Sequence, residues 1–208
     1  SDESSCCEEP FIEVLKPPST PALTEHLRRL NLSFDHPYQL EINLRALDWI
    51  ASAGLALLKG FVITIDYGYP AEELYHPKKT NGTFLCYHKH QTNEKPYEHI
   101  GEQDMTAHVD FTSIAARGLT AGLKTIGFTD QMHFLMGLGI AQRMETLAQK
   151  MFESEKARHE FLAMKQLMDP NAMGRTFKVL IQAKGLPDNL KLDGLQFKAF
   201  DPLGAVKE

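Results

Sequence analysis

Cysteine is scarce in this sequence, with three among 208 residues, two of them adjacent at Cys6 and Cys7 and the third at Cys86. Three thiols make no disulfide framework, and a reducing compartment fits them best. A strong charge of one sign is missing as well: the net charge is -5, with acids and bases scattered along the chain. That excludes a general nucleic-acid binder, which would carry a basic face. The longest apolar runs, 53–58 and 61–65, are far too short to cross a membrane. The opening residues are acidic rather than basic then apolar, so no signal-peptide pattern is seen. There is no G-x-G-x-x-G, P-loop or G-x-S-x-G. Classical dinucleotide binding, P-loop hydrolysis and a nucleophile elbow therefore have no support.

What is present is a chain that is 43% hydrophobic, enough for one sizeable core and a single domain by default. Residues 1–10, rich in serine and acid, read as a disordered or extraneous tail, and 186–208 as a second tail. Between them, Phe11 to Leu15 alternates as a short strand would. A helix is predicted from Pro21 to Leu32 with Thr20 as N-cap, and another from about Glu41 to Leu58. Leu44, Leu47, Ala51, Gly54, Leu55 and Leu58 give the second one its apolar stripe.

Phe61 to Asp66 is nearly continuous and β-branched, the pattern of a strand buried on both faces. Residues 71–109 are polar and weakly periodic, with a strand expected over 82–87; such length signals a functional loop or disorder. Asp110 or Thr112 can cap a helix over Ser113 to Ala121. A strand over 123–129, a helical region from Gln131 to Met168 interrupted near Gly137 and Gly139, and a strand over 176–183 follow. The order is α/β, with three good strands where a complete doubly wound sheet has five or more.

The richest stretch chemically is Gly101 to Thr112, with Glu102, Asp104 and Asp110 beside Thr106, Thr112 and His108. Met105, Val109 and Phe111 are apolar anchors for it. Acids on an anchored loop suit a cationic substrate, yet Glu102 and Asp104 are equally readable as solvated charges, and Asp110 leans towards a helix cap. Asp66 and Tyr67 end a buried strand, where open α/β sheets place ligands, although Asp66 can also be a turn cap. The nine histidines invite a metal, with Cys86, His88 and His90 alternating and His76, His99 and His108 nearby. Their spacing matches no zinc pattern, so no metal is expected.

Several segments together resemble one family. They are Phe61 to Pro70, Gly82-Thr83 with Cys86-Tyr87, Gly101 to Phe111, Gln131 with Phe134-Leu135 and Gly139-Ile140, and Met173 to Leu180. Over residues 11–185 the chain is similar to the MidA-like S-adenosylmethionine-dependent methyltransferases, which include the mitochondrial arginine methyltransferase of complex I assembly. The resemblance implies a partial class I (Rossmann-like) sheet, with 61–66, 123–129 and 176–183 as strands five, six and seven. The last two would form an antiparallel edge. The family's glycine-rich turn, ribose-binding acid and Asn-Glu-Phe-Phe-Asp-like segment do not occur here. The chain thus resembles a carboxyl-terminal half whose amino-terminal cofactor half is absent.

On this resemblance S-adenosylmethionine is the cofactor of the intact parent and is not held tightly by this chain alone. The substrate is a protein arginine, with Glu102, Asp104 and His108 as catalytic candidates. Asp66, Tyr67, Gly68 and Thr106 are the substrate-binding candidates. The implied partners are the missing half or a second copy of the chain, with no nucleic acid. The implied location is cytoplasmic for a bacterial parent and the mitochondrial matrix for a eukaryotic one. The competing expectation is a non-catalytic interaction or assembly module that binds a basic partner through the 98–112 loop.

Overall fold

In chain order the helices are α1 (Pro21–Arg29), α2 (Leu44–Ala56), α3 (Ala71–Leu74), α4 (Phe111–Thr120), α5 (Gln131–Gly137), α6 (Ile140–Lys150), α7 (Glu155–Met168) and α8 (Met173–Thr176). The strands are β1 (Gly60–Tyr69), β2 (Leu85–His88), β3 (Gln91–Asn93), β4 (Asp104–Thr106), β5 (Val109–Asp110), β6 (Lys124–Asp130) and β7 (Phe177–Lys184). These come from a computed structural model that describes residues 11–89, 91–187, 189–198 and Pro202. The expected tail at 1–10 lies outside the described residues, as do His90 and parts of 186–208. The chain divides into two compact units, one of residues 1–42 with 77–108, the other of 43–76 with 109–208.

The second unit is built on a four-stranded sheet in the order β5-β1-β7-β6. β7 runs antiparallel to both β1 and β6, and β5 adds a short parallel pair to the end of β1. The three main strands are those expected from the sequence, and β7 is the antiparallel member between the other two. One face carries the core of Ile50, Phe111, Ile114, Ala115, Leu123, Phe128 and Leu180, with Val62 and Val109 packed against it. It lies under α2 and α4, while α5 and α8 pack on β7. α4 begins where Asp110 accepts a hydrogen bond from the Ser113 N–H, so Asp110, not Thr112, is its cap. Thr112 is fully buried and accepts instead from the Ala71 N–H at 2.8 Å, tying α4 to the start of α3.

Three expectations for this unit are corrected. β1 is not buried on both faces: Phe61, Ile63 and Ile65 are 40%, 51% and 50% exposed. Among the described residues no strand pairs with β1 over 60–67 on the edge away from β7. The stripe of α2 is rotated from the predicted one, since Ile50, Ala51 and Gly54 are buried whereas Leu55 and Leu58 are exposed. α2 ends at Ala56, so Leu58 lies beyond it. The helical region after Gln131 breaks a second time, because Ser154 caps a new helix by accepting from the Ala157 N–H.

The first unit contains α1 and a three-stranded antiparallel sheet in the order β3-β2-β4. α1 starts as the sequence predicts, with Thr20 accepting from the Ala22 N–H and Pro21 at the first position. Phe11 to Leu15 is no strand; it is irregular and largely exposed, with no strand beside it to satisfy its backbone. Phe11 rests near Tyr97, ring centroids 5.8 Å apart. Among its described residues the unit buries few apolar side chains, chiefly Leu30 and Cys86, and polar side chains join its segments.

Candidate functional site

The run from Gly101 to Thr112 is not one loop. It comprises a turn, β4, β5 and the start of α4, and the boundary between the two units falls at His108–Val109. Glu102, Asp104, Thr106 and His108 belong to the first unit, and Asp66, Tyr67 and Gly68 to the second. The structure therefore groups the candidates in two sets.

In the first set, the Glu102 N–H donates to the His99 carbonyl at 2.8 Å and closes a turn in which Gly101 has φ +80°. Gly101 takes a conformation that residues with a Cβ rarely adopt. The chain then enters β4, where Asp104 lies opposite Tyr87 and Thr106 opposite Leu85. Opposed residues share a face, so Asp104 and Thr106 project from the same side of the sheet. Gln103 fixes this entry, accepting from the Asn93 amide at 3.1 Å and donating to the Lys95 carbonyl at 2.9 Å. Glu102 and Asp104 are exposed, and neither carboxylate has an ion pair with another described residue. Met105, expected to anchor the run, is 61% exposed; Phe111 and Val109 pack into the core of their own unit instead.

His108 is positioned by a connection invisible in the local sequence. Its N–H donates to the Thr83 hydroxyl at 3.0 Å. That hydroxyl donates to the Glu41 carboxylate at 2.9 Å, which also accepts from the Thr83 N–H at 2.8 Å. Gly82 has φ +70°, and a Cβ there would stand 2.2 Å from a Glu41 oxygen. Gly82-Thr83 is thus a seat for the Glu41 carboxylate. Cys86, at the centre of β2, is fully buried, and burial pushes its thiol pKa up, which disfavours the reactive thiolate.

In the second set, Asp66 and Tyr67 do not end the strand as expected: both lie inside β1, opposite Lys178 and Phe177, and Asp66 caps no turn but accepts from the neighbouring Tyr67 N–H at 2.8 Å. Tyr67 meets Phe177 edge-on, with centroids 5.5 Å apart. Gly68 is required by contact: a Cβ would lie 2.2 Å from the Val109 carbonyl oxygen, where β5 joins β1. Beyond it, Tyr69 carries the Lys178 ammonium 4.6 Å from its ring centre. Burial raises the Tyr69 phenol, helped by the negative charge of Glu73.

Two groupings were missed by the sequence. Asp130, nearly buried at the end of β6, caps α5 through the His133 N–H and also meets the His133 Nδ1 at 2.6 Å. The Asp-x-x-His spacing at a strand-to-helix junction was the available signal. The other grouping is His88, His99 and Glu102, which folding brings together although their spacing fits no standard metal motif. Shallow grooves along Pro18 to Arg28 and along Gly139 to Leu147 are lined by none of the candidate residues.

A family model described as "Putative S-adenosyl-L-methionine-dependent methyltransferase" matches residues 3–129. The chain is also similar to two crystal structures from Burkholderia thailandensis. One is a "likely methyl transferase" bound to S-adenosyl-homocysteine, with 28% identity and a TM-score of 0.75, covering 89% of this chain and 46% of that one. The other is a native structure of an uncharacterized protein of the same superfamily, with 29% identity and a TM-score of 0.73, covering 86% of this chain and 46% of that one. This chain spans less than half the length of either solved relative.

Proposed function

From the premise that the chain belongs to the family of S-adenosyl-L-methionine-dependent methyltransferases, we propose that it is the carboxyl-terminal, substrate-side part of a protein arginine methyltransferase. The observation that carries this reading is the pair Glu102 and Asp104, exposed and without ion pairs among the described residues, on an ordered turn and strand. An arginine side chain stays protonated at any working pH and presents a planar fork of donors. Carboxylates accept that fork in paired hydrogen bonds and so orient one of its nitrogens. In this reading Glu102 and Asp104 bind and align the guanidinium, with Thr106 and His108 as hydrogen-bonding neighbours. Asp66, Tyr67 and Gly68, at the end of β1 in the second unit, are kept as a separate set of substrate-binding candidates. Orientation of this kind lowers the barrier by presenting the reacting nitrogen in a near-attack geometry.

The two tight glycine approaches flanking the candidate segments do not form a cofactor cradle. The space beside Gly68 is taken by the Val109 backbone, and that beside Gly82 by the Glu41 carboxylate. Cofactor binding is therefore assigned to a part of the parent outside this chain, a reading supported by solved relatives of which this chain covers 46%. The edge of β1 over 60–67 then receives a strand from that part or from a second copy, as an unpaired strand edge is a template for pairing.

Calorimetry tests the reading. The chain should bind an arginine-containing peptide more tightly than its lysine counterpart. Glu102→Ala with Asp104→Ala should weaken that binding by about tenfold, or ~1.4 kcal/mol. Unchanged affinity would return both acids to solvated charges. S-adenosylmethionine should bind this chain weakly, and micromolar binding would defeat the assignment to a substrate-side part. Scattering from the same solutions reads the strand edge: a monodisperse monomer would remove the pairing with a second copy.

A further inference from the structure

His88, His99 and Glu102 each offer a ligand atom, and the three atoms lie within 4.8 Å of one another. Three features of the fold hold them there. The bond from the Glu102 N–H to the His99 carbonyl makes these residues the first and last of a four-residue turn, with Gly101 at its third position. That is the type II pattern, which demands a positive φ at the glycine. A Cβ at Gly101 would meet nothing within 4 Å, so backbone conformation, not space, selects glycine there. Pairing of Tyr87 with Asp104 then brings the end of β2 alongside the same turn.

His88 is oriented as well as close. His88 Nδ1 lies 3.1 Å from the Glu102 carbonyl oxygen. A carbonyl can only accept, so Nδ1 carries the proton and Nε2 the lone pair. Metal-binding histidines are commonly fixed in this way, through a backbone carbonyl on the other ring nitrogen. The His88 and His99 rings stack at 3.9 Å with 9° between their planes, and since an imidazole lone pair lies in its ring plane, His99 turns out of this stack when both rings reach one ion.

We infer that His88, His99 and Glu102 form a binding site for a late first-row divalent cation such as Zn²⁺, clipping the turn at 99–102 to the end of β2. Two imidazoles and a carboxylate suit zinc better than magnesium or calcium, which take oxygen ligands. A solvent water completes four-coordination. Zinc–ligand bonds of about 2.0–2.2 Å place tetrahedral ligand atoms about 3.4 Å apart. His99 and Glu102 are exposed, so their side chains have room to turn towards that spacing. The site goes beyond the proposed arginine recognition and stands independently of it. Where both hold, an ion on Glu102 withdraws one carboxylate from the guanidinium.

The test is titration of the chain with ZnCl₂ by calorimetry, and with Co²⁺ by visible ligand-field absorption. One ion per chain is expected. Loss of an outer hydrogen-bond partner alone weakens metal sites about 10–100-fold, so His99→Ala should weaken binding by about 100-fold or more. Glu102→Gln should remove the four-coordinate Co²⁺ absorption. His99 is exposed, so its replacement does not threaten folding. His159→Ala, on the exposed face of α7, should change nothing. Affinity and spectrum that survive both His88→Ala and His99→Ala would mean an adventitious ion only, and no binding at all would equally overturn the site.

Discussion

The two units are held together by different physics. The second has a core of seven buried residues drawn from two helices, β6 with the residue before it, and β7, with Phe111 and Phe128 5.1 Å apart at its centre. The first has few buried apolar residues among those described, chiefly Leu30 and Cys86, and is joined by Glu41, Thr83, Gln103 and Asn93 through hydrogen bonds. Apolar burial is non-directional and tolerant, while a buried hydrogen bond is directional and costly to break on one side only. A region organised in the second manner can hold carboxylates in the open. A region organised in the first supplies the platform that carries strand ends.

The largest effect that would break this contrast concerns Phe111. Phe111→Ala should destabilise the second unit by about 3–5 kcal/mol, read from urea unfolding, because a fully buried aromatic leaves a cavity. A cost below about 1 kcal/mol would mean that the core is not where the stability resides. The intermediate effect concerns Thr83. Thr83→Val keeps the shape but deletes the hydroxyl between Glu41 and the His108 N–H, and should cost about 1–3 kcal/mol. Hydrogen exchange at the His108 amide should accelerate. Unchanged exchange would show that the hydroxyl does not hold that segment.

The smallest effect sharpens the comparison at α1. Hydrogen bonds from Arg28 and then Arg29 lower the Glu25 carboxyl from 4.5 to about 2. A depressed carboxylate value means that the contribution to α1 is complete above about pH 4.5 and lost as pH falls towards 2. The pair is exposed, so the effect on stability is small and weakens with salt. An NMR titration of the Glu25 carboxyl should show its midpoint near 2, and a midpoint near 4.5 would mean that the arginines do not hold it.

The sequence made the second unit legible because its signals are local and periodic. Asp110 ahead of an apolar helix, the β-branched run of β1 and the alternation in β7 each need only a few neighbouring residues to be read. Ser154 escaped because a cap inside a continuous amphipathic pattern adds little to it. In the first unit the deciding contacts join residues far apart in sequence, such as Glu41 with Thr83 and Thr83 with His108. No periodicity encodes them. The acids at 102 and 104 were visible as a composition, whereas the turn and strand that fix them were not. Likewise, residue spacing could not show that His99 and Glu102 are ends of one turn or that His88 lies against it.

The chain enters the first unit, leaves it at residue 43, returns at 77 and leaves again after 108. A ribosome delivers these passages in order, at about 5–20 residues per second. Glu41 must therefore wait through an entire excursion before Thr83 emerges to receive it. β1 waits longer still, since Gly60 pairs with Lys184 and the intervening strands are synthesised first. For that interval Phe61, Ile63 and Ile65 sit on a strand whose β7 edge is unpaired, in a nascent chain exposed to other nascent chains. The late arrival of β7 is thus a hazard of synthesis, and a chaperone with affinity for short apolar strands would find its target at 61–65.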